Sequence, residues 1–181
     1  MKKVCIIFLL SIIISLTAYG FSSGAAVRRN QECVTSQYLR IHIRADSNEE
    51  RAQAVKYLVR DEIVDYLTPL VAECESKAEA LAGIEQRLSQ IEQKAKDVLR
   101  ENGFSYGAST TLQTEYFPTR VYDTYTLPAG EYTALIVRLG AGKGDNWWCV
   151  VYPPLCFTAP TGQNVVYKSK IAEIIQKWKN G

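Results

Sequence analysis

Residues 38–67 read YLRIHIRADSNEERAQAVKYLVRDEIVDYL, and the change of period within them sets the fold class. From Tyr38 to Ala45, the residues Leu39, Ile41, Ile43 and Ala45 alternate with Tyr38, Arg40, His42 and Arg44. Successive side chains of a strand point to opposite faces, so this is the pattern of a half-buried strand. Asp46-Ser47-Asn48 interrupts it. Ser47 with Glu50 three residues later has the form of a capping box, which satisfies backbone N–H groups that a helix start leaves unpaired. Beyond it, Val55, Leu58, Val59, Ile63, Tyr66 and Leu67 recur at three and four, the stripe of an amphipathic helix. Pro69 is expected to close or kink that helix, because proline brings no N–H to the ladder.

Downstream, Ser76 and Glu79 offer a second capping box. Leu81, Ile84, Leu88, Ile91, Ala95, Val98 and Leu99 mark the buried face of a second helix that ends at Asn102-Gly103, with Gly as the left-handed cap. The composition then turns to Tyr, Thr and Val: strands are predicted over Phe104 to Phe117, Arg120 to Thr126, Tyr132 to Gly140 and Trp147 to Tyr152. Pro128-Ala129-Gly130 is a turn, and Gly140 to Asn146 a longer flexible hairpin connection. No linker or repeat separates the helical half from the strand half. The order predicts an α+β fold, two amphipathic helices packed on a mostly antiparallel sheet, as a single domain over residues 38–159.

Upstream lies an address. Met1-Lys2-Lys3 is a short positive region, Val4 to Leu16 an almost unbroken apolar run of 13 residues, and small residues follow. This is the layout of a secretory signal peptide over residues 1–26. The run is short of the ~20 residues that span a bilayer as a helix. Ala18-Tyr19-Gly20 and Gly24-Ala25-Ala26 both fit a cleavage site, and an uncleaved N-terminal anchor is the other reading. Residues 27–37 are a linker. Residues 160–181 form a basic amphipathic helical tail, Ile171, Ile174, Ile175 and Trp178 with Lys168, Lys170, Lys177 and Lys179 around them. Such a tail either docks on its own domain or lies on a membrane surface or a partner.

The chain has 181 residues, 47% of them hydrophobic, and a formal charge of +2. A mature domain of about 150 residues buries roughly 68–70% of its unfolded surface, so it needs no metal to hold a core. Loss of Lys2 and Lys3 with the leader leaves 19 basic against 19 acidic side chains. A nucleic-acid partner, which needs a concentrated basic face, is not expected.

Few residues point to chemistry. His42 is the single histidine and the cysteines lack paired C-x-x-C spacing, so neither a zinc site nor any cofactor is predicted. At a polar position of a strand, His42 is expected to be a surface imidazole. In an oxidising compartment Cys149 and Cys156, seven apart across Pro153-Pro154, form a disulfide or remain as two buried thiols. The glycine loop fails as a phosphate loop: Gly144 stands where Ser or Thr is needed, Val137 where the first Gly is needed, and Asp145 breaks the dinucleotide fingerprint. What stands out is aromatic and proline density, in Tyr116-Phe117-Pro118, Tyr122, Tyr125, Tyr132, Trp147-Trp148 and Tyr152-Pro153-Pro154. Adjacent Trp147 and Trp148 point to opposite faces of a strand, so one is either partly exposed or covered by the tail.

The segments Leu39 to Asn48, Tyr116 to Tyr122, Thr126 to Tyr132, Gly140 to Val150 and Pro153 to Phe157 resemble, in order, stage II sporulation protein R of endospore-forming bacteria. The resemblance implies no enzyme. It implies a signalling protein made in the forespore and exported into the space between forespore and mother cell. Its partner would be a membrane-embedded aspartic-type protease of the mother cell that cleaves the precursor of sigma factor E, with no small-molecule substrate. The expected contact residues are Trp147, Trp148, Lys143, Asn146 and Tyr122. The rival is a secreted cell-wall or other extracytoplasmic hydrolase, with Asp46, Glu131 or Cys149 as its candidate groups.

Overall fold

The computed structural model describes residues 34–122 and 125–154. The leader, the 160–181 tail and Cys156 lie outside the described residues. After a single helical turn at residues 34–37, the elements are β1 (Leu39–Arg44), α1 (Glu50–Ala72), α2 (Lys77–Glu85), α3 (Leu88–Glu101), β2 (Ala108–Phe117), β3 (Arg120–Tyr122), β4 (Tyr125–Leu127), β5 (Gly130–Leu139) and β6 (Asn146–Tyr152). The fold is α+β. Four strands form one sheet in the order β2-β5-β1-β6, and β3 pairs with β4 in a small hairpin of its own. Only β1 with β5 is parallel; the other pairs are antiparallel.

The helices cover one face. Leu39, Ile41 and Ile43 of β1 and Leu135, Val137 and Leu139 of β5 meet Val55, Val59, Ile63 and Leu67 of α1, joined by Ile84, Ile91 and Leu99. Each such side chain contributes about 1.5–3 kcal/mol by leaving water. This stripe carries α1 through Pro69 to Ala72, so the proline does not close the helix, because Leu67 and Val71 on either side of it are both fully packed. The second predicted helix is two. Arg87 N bonds to Ile84 O at 2.9 Å, and the chain restarts with Ile91 N on Arg87 O; the Arg87 side chain caps Gly83 O at 3.0 Å.

Local cap signals fare unevenly. Glu79 N bonds to Ser76 Oγ at 3.2 Å while the Glu79 carboxylate takes the Glu75 N–H at 2.8 Å. Gly103, at φ 77°, ends α3 with Phe104 N on Leu99 O and Gly103 N on Arg100 O, the two bonds of a Schellman close. The Ser47–Glu50 box does not form: Glu49 is the cap residue and makes no side-chain cap bond. The turn at 45–48 is used to hold another loop instead.

The far face of β1 is also covered, and here the expectation of a surface imidazole is corrected. Arg40 is fully buried and His42 is 3% exposed. By register Glu115 lies opposite Tyr132 and Arg44 opposite Arg138, six positions apart along β5, about 20 Å in a flat sheet. Yet Glu115 and Arg44 are ion-paired. The β2–β5 ribbon therefore coils over β1, as long twisted ribbons do, and closes a second core of Tyr38, Phe117, Leu127, Tyr132, Ala134, Ile136 and Val150. The stretch read as one strand from Arg120 to Thr126 is the β3–β4 hairpin, part of this cover.

Candidate functional site

The 140–146 loop joins β5 to β6 across the end of β1 and is pinned rather than free, against its reading as a flexible connection. Lys143 N bonds to Asp46 O at 3.1 Å and Gly144 N to Ala45 O at 2.9 Å. Ala141 N bonds to Asp46 Oδ1 and Asp145 N to Asn48 Oδ1, each at 2.6 Å. From α1, the buried Lys56 donates to Gln53 Oε1 at 2.6 Å and to Asp145 O at 3.1 Å.

Between this loop and the coiled ribbon lies an open cleft of about 350 Å³, lined by His42, Arg44, Glu115, Tyr116, Gly142, Lys143, Gly144, Asn146 and Trp148. Glu115 organises it from β2. Its Oε1 ion-pairs with Arg44 and stands 3.1 Å from His42 Nδ1. That carboxylate assigns the His42 proton to Nδ1 and leaves Nε2 an acceptor, and Nε2 has no hydrogen-bond partner among the described residues. The ring sits between Trp148, centroids 5.3 Å apart, and Phe117 at 5.9 Å. Arg120 also lies over the Trp148 ring, 3.9 Å from its centroid.

Burial lowers the His42 pKa below its ordinary 6.5, Arg44 adding to it, while Asn146 and Glu115 favour the charged form. A base with a depressed folded pKa binds more protons unfolded than folded, so stability falls as pH drops below about 6.5. As the single histidine, His42 should give unfolding midpoints that decline between pH 6.5 and 5.5, at no more than about 1.4 kcal/mol per pH unit, with the slope lost in His42→Gln. A wild type equally stable across that window contradicts a buried neutral ring.

Of the predicted contact residues, Lys143, Asn146 and Trp148 come together in the cleft. Trp147 does not; it packs on the helix side against the main core, with Arg60 5.7 Å from its ring. Tyr122 stands behind the wall, its hydroxyl bonded to Arg40 and donating to Trp148 O at 3.3 Å. Sequence reasoning missed Glu115 and Arg44, although Arg44 and His42 share one alternating face. The hydrolase candidates do not converge: none of Asp46, Glu131 and Cys149 lines the cleft. The Asp46 carboxylate holds the loop, Glu131 is exposed on β5, and Cys149 is disulfide-bonded, which removes the thiolate a nucleophile needs. Among the described residues no cluster of His, Cys, Asp and Glu could hold a metal ion.

Compared with known proteins, residues 35–161 match the family model for stage II sporulation protein R, a span that includes every strand and the whole cleft. Over 161 residues the chain is 35% identical to the stage II sporulation protein R of Bacillus subtilis (strain 168), covering 87% of this chain and 72% of that protein. No solved structure matches.

Proposed function

The chain belongs to the stage II sporulation protein R family and is a sporulation protein; from that premise we propose that it is an exported signal that activates a protease by contact. It is made in the forespore and delivered into the space between the two cells. There it engages a membrane-embedded aspartic-type protease, which then cleaves the precursor of sigma factor E. Family membership carries this reading. It is supported by the leader-like Met1 to Leu16 segment and by a cleft whose polar groups surround an aromatic wall, the kind of surface that protein partners use.

The test is addition of the purified chain, secreted through its own leader, to membranes holding the protease and the sigma precursor. Saturable acceleration of cleavage is expected; none, with a competent protease and folded protein, overturns the activator reading. The two tryptophans should separate in the same assay. Trp148→Ala removes the cleft wall and is expected to raise the half-saturating concentration about 30-fold, the ~2 kcal/mol of a contact hot spot. Trp147→Ala should instead lower stability by about 2–3 kcal/mol and activate normally per folded molecule. Equal activation by folded Trp148→Ala would place the contact elsewhere.

A further inference from the structure

On the helices, Arg60, Lys94, Lys96 and Arg100 each pair with a carboxylate, while Lys56, Lys77, Arg51 and Arg87 bond to backbone or amide oxygens. Around the cleft only Arg44 pairs with a carboxylate. Lys143 and Arg138 are exposed and, like Arg120, have no ion pair among the described residues. Arg138 is not in the lining but borders it: its stem lies so close to Gly142, which is, that a β-carbon added there would come within 2.5 Å of it. Among the described residues the one carboxylate in the lining, Glu115, is already engaged by Arg44 and His42. Asp145, the loop's own exposed acid, is outside the lining and acts on Lys56 of α1. The cleft thus presents Lys143, with Arg138 bordering it, beside the Trp148 wall, and Tyr116, 65% exposed, at its edge.

We propose that this cleft receives an acidic peptide segment of the partner, its carboxylates held by Lys143 and Arg138 and a neighbouring apolar side chain packed on exposed Tyr116 and the accessible part of Trp148. This deepens the activator reading, under which the segment belongs to the part of the protease outside the membrane. Exposed cations attract carboxylates from a distance, so the contact should be salt-sensitive. The aromatic wall is what distinguishes a peptide from a simple anion.

The experiment is a nuclear magnetic resonance titration of the secreted chain with acetyl-Asp-Glu-Asp-Phe-amide, its neutral twin acetyl-Asn-Gln-Asn-Phe-amide, and inorganic phosphate. The acidic peptide should shift the Trp148 indole and the 142–146 amides saturably, at least tenfold more tightly than the neutral twin. It should weaken severalfold between 20 and 200 mM salt, and Lys143→Glu with Arg138→Glu should abolish it. No saturable shift, equal binding of the neutral twin, or the same shifts from phosphate alone at the same concentration would each overturn the proposal. In the cleavage assay the double variant should raise the half-saturating concentration at least tenfold at an unchanged maximal rate. If the wild type accelerates cleavage and the folded double variant matches it, acid docking falls and the activator reading stands. If the wild type does not accelerate, that reading falls and the titration still decides the acid site.

Discussion

Gly144→Ala is expected to lose about 3 kcal/mol of stability and to activate poorly even when folded. A β-carbon at this position would come within 2.1 Å of the Ser47 carbonyl oxygen and 2.5 Å of its carbon. Both are backbone atoms, so no side-chain rotation relieves the clash and the loop must lift from the 45–48 turn. Lifting breaks the Gly144 N–Ala45 O and Lys143 N–Asp46 O bonds and withdraws Asp145 O from the buried Lys56 ammonium. Overpacking of this kind costs about 1–3 kcal/mol, and each hydrogen bond lost adds about 1 kcal/mol. The same movement displaces Lys143 and Asn146 from the cleft. Gly107→Ala is the control: the nearest atom to its added carbon is the end of Lys96, at 3.8 Å, and the expected change is within about 0.5 kcal/mol. Urea midpoints for both, at an unchanged m-value, decide it. A Gly144→Ala protein as stable as Gly107→Ala would mean that the loop is not held by this approach.

That glycine shows what the sequence alone could and could not disclose. Its neighbours in space, Ala45 and Ser47, are nearly a hundred positions away, so Gly140 to Asn146 looks like any mobile connection until the partner turn is known. The alternation over Leu39 to Arg44, the three-and-four stripe of α1 and the caps at Ser76 and Gly103 are local, and each is legible because a few adjacent residues fix it. The opposed faces of Trp147 and Trp148 follow from strand geometry in the same way. The break at Gln86-Arg87 is invisible, since Ile84, Leu88 and Ile91 keep the helical period across it. The burial of Arg40 and His42 is invisible for a different reason: it depends on the β2–β5 ribbon coiling over them and bringing Glu115 to a strand 71 residues earlier in the chain. Composition told of aromatic density without telling which aromatic rings face the cleft.

Arg40 is where the covered face should prove most sensitive. Arg40→Ala is expected to cost about 3–5 kcal/mol, as large truncations in cores do, whereas Arg40→Met should stay near wild type. The guanidinium is fully buried, 4.2 Å from the Phe117 centroid and 4.9 Å from that of Tyr132. It bonds to Tyr122 Oη and, at 3.4 Å, to Cys149 O, while Nη1 has no partner among the described residues. No carboxylate ion-pairs with it there. Two ring faces give a desolvated cation about 2 kcal/mol each, but burying it costs several, so the charge contributes little net stability. The volume is another matter. Removing it opens a hole between Phe117, Tyr122 and Tyr132, and the Tyr122 ring loses the packing behind it that keeps it against the Trp148 strand. Methionine refills that space with a thioether that sits well on aromatic rings and asks for no hydrogen bonds. The Ala variant should therefore lose both stability and the cleft wall, and the Met variant neither. If Arg40→Met unfolds at the same urea concentration as Arg40→Ala, the cation and not its bulk holds the second core together, and the balance struck here between desolvation and ring contact has the wrong sign.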